Sequence, residues 1–294
     1  MTKRRMLLGL IGANIQGSMS PALFADAFAA ADIDGYYHLI DADRLPGRRL
    51  PDLLQAMKTL GFAGANVTYP FKQEIIPLLD AVDPEAAQVG AVNTIAIAPD
   101  GRATGYNFDR RGWRKSFEAT FGSESAKNQT VVQIGAGGAG RAVAYALMDL
   151  GVGTLILHDL DTAKAEALRS EIAAYYSAAR CRLVSDLDRD LAGADGVVNA
   201  TQLGMSGFPG NPVPVDAIKP QHWAADVIYT PMQTAFLKAA AAKGARVLNG
   251  AGMCVYQAAE AFRQFTGVTP DVARLHRAFA AAVAARDAAA ASAA

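Results

Sequence analysis

The chain has 294 residues, about twice a typical domain, and 51% of them are hydrophobic while only 19% are charged. Two domains with sizeable cores are therefore expected, and general disorder is excluded. Lys plus Arg and Asp plus Glu both number 28, so the net charge is zero and there is no global attraction to nucleic acid or to an anionic membrane.

Read in chain order, Lys3-Arg4-Arg5 followed by the apolar run Met6 to Ala13 has the outline of a short signal peptide or of a first buried strand. Gly9 and Gly12 inside the run, and the lack of a small-x-small cleavage box after it, favour the strand, placed over 6–11. A helix is expected over 21–31, with Leu23, Phe24, Ala27, Phe28 and Ala31 at helical spacing, Ser20 as N-cap and Pro21 at the first helical position. Residues 36–40 predict a strand, 51–60 a helix, 64–68 a strand and 72–79 a helix. A hairpin over 94–98 and 103–106 turns at Pro99-Asp100-Gly101. Strands alternating with helices point to a mostly parallel sheet covered by helices.

A helix from Arg110 through Trp113 to Phe121 and a polar loop over 122–129 precede a second alternating block. Its expected strands are 130–134, 154–159, 196–199, 225–229 and 246–248. Its expected helices are one ending at Leu150, 162–174 and 235–243, with a long loop over 204–214. Helices over 255–265 and 271–285 close the chain, and the Ala-rich tail 288–294 reads as frayed. No run approaches the roughly 20 apolar residues of a membrane-spanning helix. Cys181 and Cys254 are too few for a disulfide framework or a four-thiolate site, and His38, His158, His222 and His276 lack metal-ligand spacing. Buried thiols, no metal and a reducing, cytoplasmic setting are expected. Trp113 and Trp223 read as core or interface residues.

Gly135-Ala136-Gly137-Gly138-Ala139-Gly140 follows a strand and opens a helix. Glycine suits the tight turn, the close approach of a pyrophosphate to bare backbone and the packing of helix on strand, while the helix N-terminus offers free N–H groups to phosphates. By itself the hexapeptide could be a packing turn. The next strand, however, ends in Asp159, about 20 residues on, where a carboxylate can accept hydrogen bonds from the adenosine ribose. That carboxylate would repel a 2′-phosphate, and Leu160 follows where an NADP enzyme usually presents Arg. NAD is expected over NADP.

Polar residues also collect at strand ends and loops of the first block: Ser18, Ser20, Asn66, Thr68, Lys72, Asn93, Asn107 and Asp109. Ser18-Met19-Ser20-Pro21, Gly64 to Lys72 (GANVTYPFK), Gly90-Ala91-Val92-Asn93-Thr94 and Asn107-Phe108-Asp109 occur in one order. Asn199-Ala200-Thr201, Asp226-Val227-Ile228-Tyr229, Gly250-Ala251-Gly252-Met253 and Gln257 continue it. The set resembles the shikimate dehydrogenase family, in particular its NAD-using quinate/shikimate branch, from about Leu10 to Gly267.

The resemblance implies an α/β chain of two domains. Residues 1–109, completed by 251–294, would form a mostly parallel substrate domain. Residues 110–250 would form an inserted, doubly wound Rossmann-type NAD domain, with the active site in the cleft between them. It implies reversible oxidation of a ring hydroxyl of shikimate, quinate or a close analogue, in a monomer or homodimer. Ser18 and Ser20 would bind the carboxylate, Asn66, Thr68, Asn93, Asp109 and Gln257 the ring hydroxyls, and Lys72 with Asp109 would form the catalytic pair. Thr201, Gly250 and Met253 would lie along the cofactor with the glycine loop, and Met205 beside them. Tyr229 reads equally as a pocket residue near the nicotinamide or as a packing aromatic.

Hydride removal from a secondary alcohol leaves a hydroxyl proton that needs an acceptor within reach, the task this assigns to Lys72. Three departures stand out. Phe108 occupies the place of the family's usual Thr, Phe24-Ala25 the place of a frequent His-Asn, and Leu160 the place of an Arg. A ring beside Asp109 could reshape the pocket or point into the core. It leaves open a ligand-binding regulator without turnover, or a dehydrogenase for an amino- or otherwise modified shikimate.

Overall fold

Arg5–Gly12 (β1) is the first strand of the computed structural model, which describes the backbone of residues 3–293 and the side chains of residues 3–288. Ser20–Ala30 (α1), Asp34–Asp41 (β2), Leu50–Thr59 (α2), Gly64–Val67 (β3), Ala81–Val82 (β4), Pro84–Val89 (α3), Thr94–Ile97 (β5) and Ala103–Tyr106 (β6) follow. The six strands form one sheet in the order β2-β1-β3-β5-β6-β4. β1 runs parallel to both β2 and β3, β5 is antiparallel to β3 and β6, and β4 pairs parallel with β6. Because Gly12 registers with Asp41 and Ile11 with Val67, the C-terminal ends of the three parallel strands lie side by side. That is the edge at which α/β sheets present ligand-binding loops.

The second block contains Asp109–Phe121 (α4), Thr130–Ile134 (β7), Gly138–Asp149 (α5), Thr154–His158 (β8), Thr162–Tyr175 (α6), Cys181–Leu183 (β9) and Leu187–Ala192 (α7). Gly196–Asn199 (β10), Trp223–Asp226 (β11), Ala235–Ala242 (α8) and Arg246–Leu248 (β12) complete it. All its strand pairs are parallel, in the order β12-β11-β10-β7-β8-β9. Numbered within this sheet the order is 6-5-4-1-2-3, the doubly wound dinucleotide-binding arrangement whose direction reverses between β7 and β10. Ala251–Thr266 (α9) and Val272–Ala293 (α10) end the chain. The chain divides into one unit of residues 1–108 with 254–294 and a second of residues 109–253.

In the first unit, α1 buries Leu23, Phe24, Ala27 and Phe28. Phe24 stacks on Tyr37 with centroids 4.3 Å apart, and Phe24 and Phe28 meet Phe262. Here Phe24 fills aromatic core space, which a His could not do without burying polar nitrogens. The core of this unit runs through Ile11, Leu53, Leu54, Met57, Val67, Ile75 and Ile95, and that of the second through Val132, Ile156, Val197, Phe236 and Leu237. Trp113 and Trp223 are both core residues of the second unit, where Phe117 contacts each ring.

Several local expectations are corrected. Ser20 is the first residue of α1 and not its cap, since Met19 takes that position without a side-chain bond. Residues 72–79 form turns and a 3-10 stretch at Ile76–Leu78 instead of an α-helix, because Pro77 lacks the N–H an α-helix would use and its ring opposes the carbonyl of Gln73. β11 starts at Trp223 and stops at Asp226, because the Asp226 carboxylate takes the N–H of Ile228 at 3.0 Å and turns the chain. α10 carries the helix through the Ala-rich tail to Ala293. Ala294 lies outside the described residues. Among the described residues no helix is long and apolar enough to cross a membrane.

Candidate active site

In the first unit the segment leaving β1 carries Ser18 and Ser20. The N–H of Ser18 donates to the Ile15 carbonyl at 3.0 Å, and the N–H of Ser20 to Ser18 Oγ at 3.2 Å. Beyond β3 the N–H of Thr68 donates to the Ile11 carbonyl at 2.9 Å, which holds Thr68 beside the end of β1. Lys72 lies in the following turns and its carbonyl accepts the N–H of Val92 at 2.7 Å.

Asn66 and Asn93 are buried and serve the fold as well as any ligand. The Tyr37 hydroxyl donates to Asn66 Oδ1 at 2.9 Å, while Asn66 Nδ2 donates to Thr94 Oγ1 at 2.9 Å and to the Asn93 carbonyl at 3.3 Å. Both amide hydrogens of Asn66 are thus spent, leaving acceptor capacity at Oδ1. Asn93 Oδ1 accepts the Thr94 hydroxyl at 2.9 Å and the N–H of Phe108 at 3.0 Å. Asn107 Nδ2 donates to the Ala91 carbonyl at 2.9 Å. The chain that runs into Asp109 is therefore fastened by the Asn107 side chain and by the backbone N–H of Phe108. The Phe108 ring, only 5% exposed, lies parallel to Tyr106 at 5.9 Å, so it packs in the unit's interior. Gln257, on α9, turns its amide to the Cys254 carbonyl at 3.0 Å.

The second unit holds the glycine loop at the point where strand order reverses. Gly135 has φ +106°, and a Cβ there would sit 2.7 Å from the Ala200 carbonyl oxygen. A Cβ on Gly140 would collide with the Gly135 carbonyl, whereas one on Gly137 meets nothing within 4 Å. Two glycines are thus required by packing, and the third borders open space at the start of α5, where unpaired helix N–H groups can meet a phosphate. Asp159 Oδ2 accepts the N–H of Ala136 at 2.7 Å and Oδ1 that of Asp161 at 2.9 Å, leaving lone pairs for a ribose. Leu160 is 93% exposed. These residues fit a dinucleotide.

Of the other proposed cofactor residues, Thr201 borders that loop, its Cγ2 2.9 Å from where a Cβ on Gly135 would stand. The Thr201 hydroxyl donates to Asn199 Oδ1 at 2.7 Å and accepts the N–H of Leu203 at 3.1 Å. Gly250 backs onto the Val227 carbonyl so closely that no Cβ fits, and its N–H donates to the Ile228 carbonyl at 2.9 Å. Tyr229 is half-buried, Met253 buried and Met205 half-buried.

Two polar residues of the strands, Asp41 and Gln133, went unread in the sequence, and Asn199 and Asp226 were read only as parts of the motifs Asn199-Ala200-Thr201 and Asp226-Val227-Ile228-Tyr229. Gln133, fully buried on β7, donates through Nε2 to the carbonyls of Gly135 and Gly140, both at 2.8 Å, and so staples the glycine turn. Asp226 is 1% exposed and accepts from Thr234 Oγ1 at 2.8 Å, the Ile228 N–H at 3.0 Å and Asn199 Nδ2 at 3.1 Å. Gln133 interrupts an apolar strand, whereas Asp41, Asn199 and Asp226 each stand last in theirs, and the structural role of each is visible only with its partners in place.

Burial pushes the Asp226 carboxyl from 3.8 up to about 6, more than its three donors pull it down. Its neutral form is favoured by folding. The contribution is complete below pH 3.8 and is lost as pH rises through about 6, a change on the order of 3 kcal/mol. Urea unfolding at pH 5 and pH 8 should show wild type losing stability relative to Asp226→Asn. A difference between the two proteins that does not vary with pH would contradict titration in this range.

Comparison with known proteins agrees over nearly the whole chain. The model of the shikimate dehydrogenase substrate binding domain matches residues 10–95, and that of the shikimate 5′-dehydrogenase C-terminal domain residues 250–278. A quinate/shikimate dehydrogenase (NAD(+)) of Corynebacterium efficiens is 45% identical over 93% of this chain and 97% of its own. A shikimate dehydrogenase (NADP(+)) of Streptomyces avermitilis is 42% identical over 94% of this chain and 95% of its own. The solved quinate dehydrogenase from Corynebacterium glutamicum in complex with NAD is similar with a TM-score of 0.87 at 42% identity, covering 95% of this chain and 100% of that one. Identity at this level, spread over both units, places the chain in the shikimate dehydrogenase family, and the protein is an oxidoreductase of that family.

Proposed function

We propose that this enzyme interconverts shikimate, quinate or a close analogue with the corresponding 3-dehydro ketone, using NAD in preference to NADP. The observation that carries the cofactor preference is Asp159, bonded to the glycine loop through Ala136, with the exposed Leu160 beside it in place of a cation. In this reading residues 1–109 with 251–294 form the substrate domain and 110–250 the NAD domain.

Bound NAD supplies the hydride acceptor. Ser18 and Ser20 hold the acid's carboxylate; Asn66, Thr68, Asn93, Asp109 and Gln257 orient its hydroxyls. The reacting hydroxyl gives its proton to Lys72 Nζ as the C–H hydride leaves, and Lys72 returns it in the reverse direction, with Asp109 orienting the amine. The bonds of the Asn107 side chain and the Phe108 N–H support a fixed starting point for Asp109, which is what orientation-dependent proton transfer requires.

The test is NADH formation by purified protein across shikimate, quinate and amino-substituted analogues, repeated with NADP. Turnover of one of these acids with NAD at least about tenfold better than with NADP, about 1.4 kcal/mol, is expected. Equal turnover with NADP removes the reading of Asp159. Ser18→Ala should weaken the acid by about 1 to 3 kcal/mol, read as a higher KM, through loss of a hydrogen bond to a charged group. Its NAD dissociation constant should stay unchanged. An unaltered KM in the double alanine variant of Ser18 and Ser20 moves the carboxylate site elsewhere.

A further inference from the structure

We propose that Asp41 is a positioning residue for substrate: its buried carboxylate holds the 13–18 segment in the shape that presents Ser18 and Ser20, an inference that rests on the reading of those serines as the carboxylate site. Asp41 is the last residue of β2 and registers with Gly12, the last residue of β1, so its side chain stands beside the point where that segment leaves the sheet. The carboxyl is 4% exposed and takes four donors. Oδ1 accepts the N–H of Asn14 at 3.1 Å and of Asp43 at 3.3 Å, and Oδ2 accepts the N–H of Ile15 at 3.3 Å and Gln16 Nε2 at 2.8 Å.

Three of those donors come from three consecutive residues of the segment, and Asn14 stands at φ +54°, a left-handed conformation that asparagine adopts more readily than other residues with a side chain. The bond from its N–H to Asp41 Oδ1 fixes that turn. From Ile15 the shape passes along the chain: the Ile15 carbonyl takes the N–H of Ser18, and Ser18 Oγ takes the N–H of Ser20. Serine geometry is therefore tied to Asp41 by an unbroken run of hydrogen bonds.

A carboxylate is required because each oxygen faces donors only. An amide at position 41 would turn an NH2 group against two of them, losing both bonds and opposing donor to donor. Burial by itself pushes the Asp41 carboxyl up, but the Gln16 amide and the N–H groups of Asp43, Ile15 and Asn14 together hold it below the ordinary carboxylate value. The group is therefore an anion at the pH of assay, as four inward donors demand.

Asp41→Asn, Gln16→Ala and Ser18→Ala should be compared with wild type. The readouts are steady-state kinetics with the active acid, NAD dissociation constants, melting temperature, and hydrogen exchange of the Asn14 and Ile15 amides. For Asp41→Asn the expected result is a tenfold or greater rise in KM for the acid, a much smaller change in kcat, an unchanged NAD constant and faster exchange at both amides. Gln16→Ala removes one exposed donor without touching the core, and should raise KM two- to fivefold. Should Asp41→Asn fail to fold, Gln16→Ala decides alone. If Ser18→Ala raises KM while the clamp variants leave it within twofold, Asp41 is merely structural and the proposal is overturned. If Ser18→Ala leaves KM unchanged, the serine reading itself fails and the clamp's role in substrate binding falls with it.

Discussion

Lys72→Ala is expected to lower kcat by about a hundredfold or more, the usual scale for a positioned acid or base, while calorimetric affinity for the acid changes far less. The asymmetry follows from what is removed. A proton acceptor matters when the hydroxyl proton is leaving, so its loss falls on the transition state more than on the bound acid. The backbone at position 72 is held by the N–H of Val92, a bond that Ala preserves. Asp109→Asn should also lower kcat, and the double variant should lose less than the product of the two singles, because residues acting as a unit are not additive. Stopped assays with both variants, beside calorimetry of the same samples, check this. Folded wild-type protein that binds NAD yet oxidises none of the cyclic hydroxy acids would instead identify a ligand-binding regulator.

The second large effect concerns the cofactor. Asp159→Ser with Leu160→Arg should lower kcat/KM for NAD by about a hundredfold, or near 3 kcal/mol, and move preference across to NADP. Two terms combine. The carboxylate proposed to accept from the ribose is gone, and an arginine fork with planar geometry suited to a phosphate takes the exposed position of Leu160. Asp159 also braces the glycine loop through Ala136. Asp159→Ala should therefore weaken both cofactors, whereas Ser keeps an acceptor near that N–H. Parallel kcat/KM values for NAD and NADP in the three proteins separate loss of the brace from loss of charge repulsion.

Legibility in the sequence followed how local the signal was. The strand before Gly135, the glycine spacing and Asp159 were readable because a turn and the following helix depend on neighbours in the chain. Alternation of strands and helices revealed the α/β class for the same reason. Pro84–Val89 and Leu187–Ala192 went unread because six residues are too few for a helical period. Asp83 and Asp186 do cap them, by accepting the N–H groups of Glu85 and Arg189. Pro77 marked the misread helix over 72–79, where apolar spacing outweighed a missing donor. Asp41, Gln133 and Asp226 were out of reach for another reason. A buried polar side chain is explained by its partners, and the meeting of β1 with β2, or of β10 with β11, exists only after the sheets form. Phe108, read as either reshaping the pocket or pointing into the core, is buried with its ring parallel to that of Tyr106.

The placement of the two tryptophans has a spectroscopic consequence. Trp113 and Trp223 are the chain's only two, both lie in the unit of residues 109–253, and both are enclosed, with Trp223 Nε1 donating to Gln129 at 2.8 Å. Light absorbed at the red edge of the near-ultraviolet band is therefore emitted from one half of the molecule alone. The other half, rich in Phe and Tyr around Phe24, is dark at that wavelength. Emission recorded during unfolding follows the nucleotide-binding sheet, while circular dichroism follows the whole chain. The distance between the two curves measures how cooperatively the two units unfold, with no label attached to either.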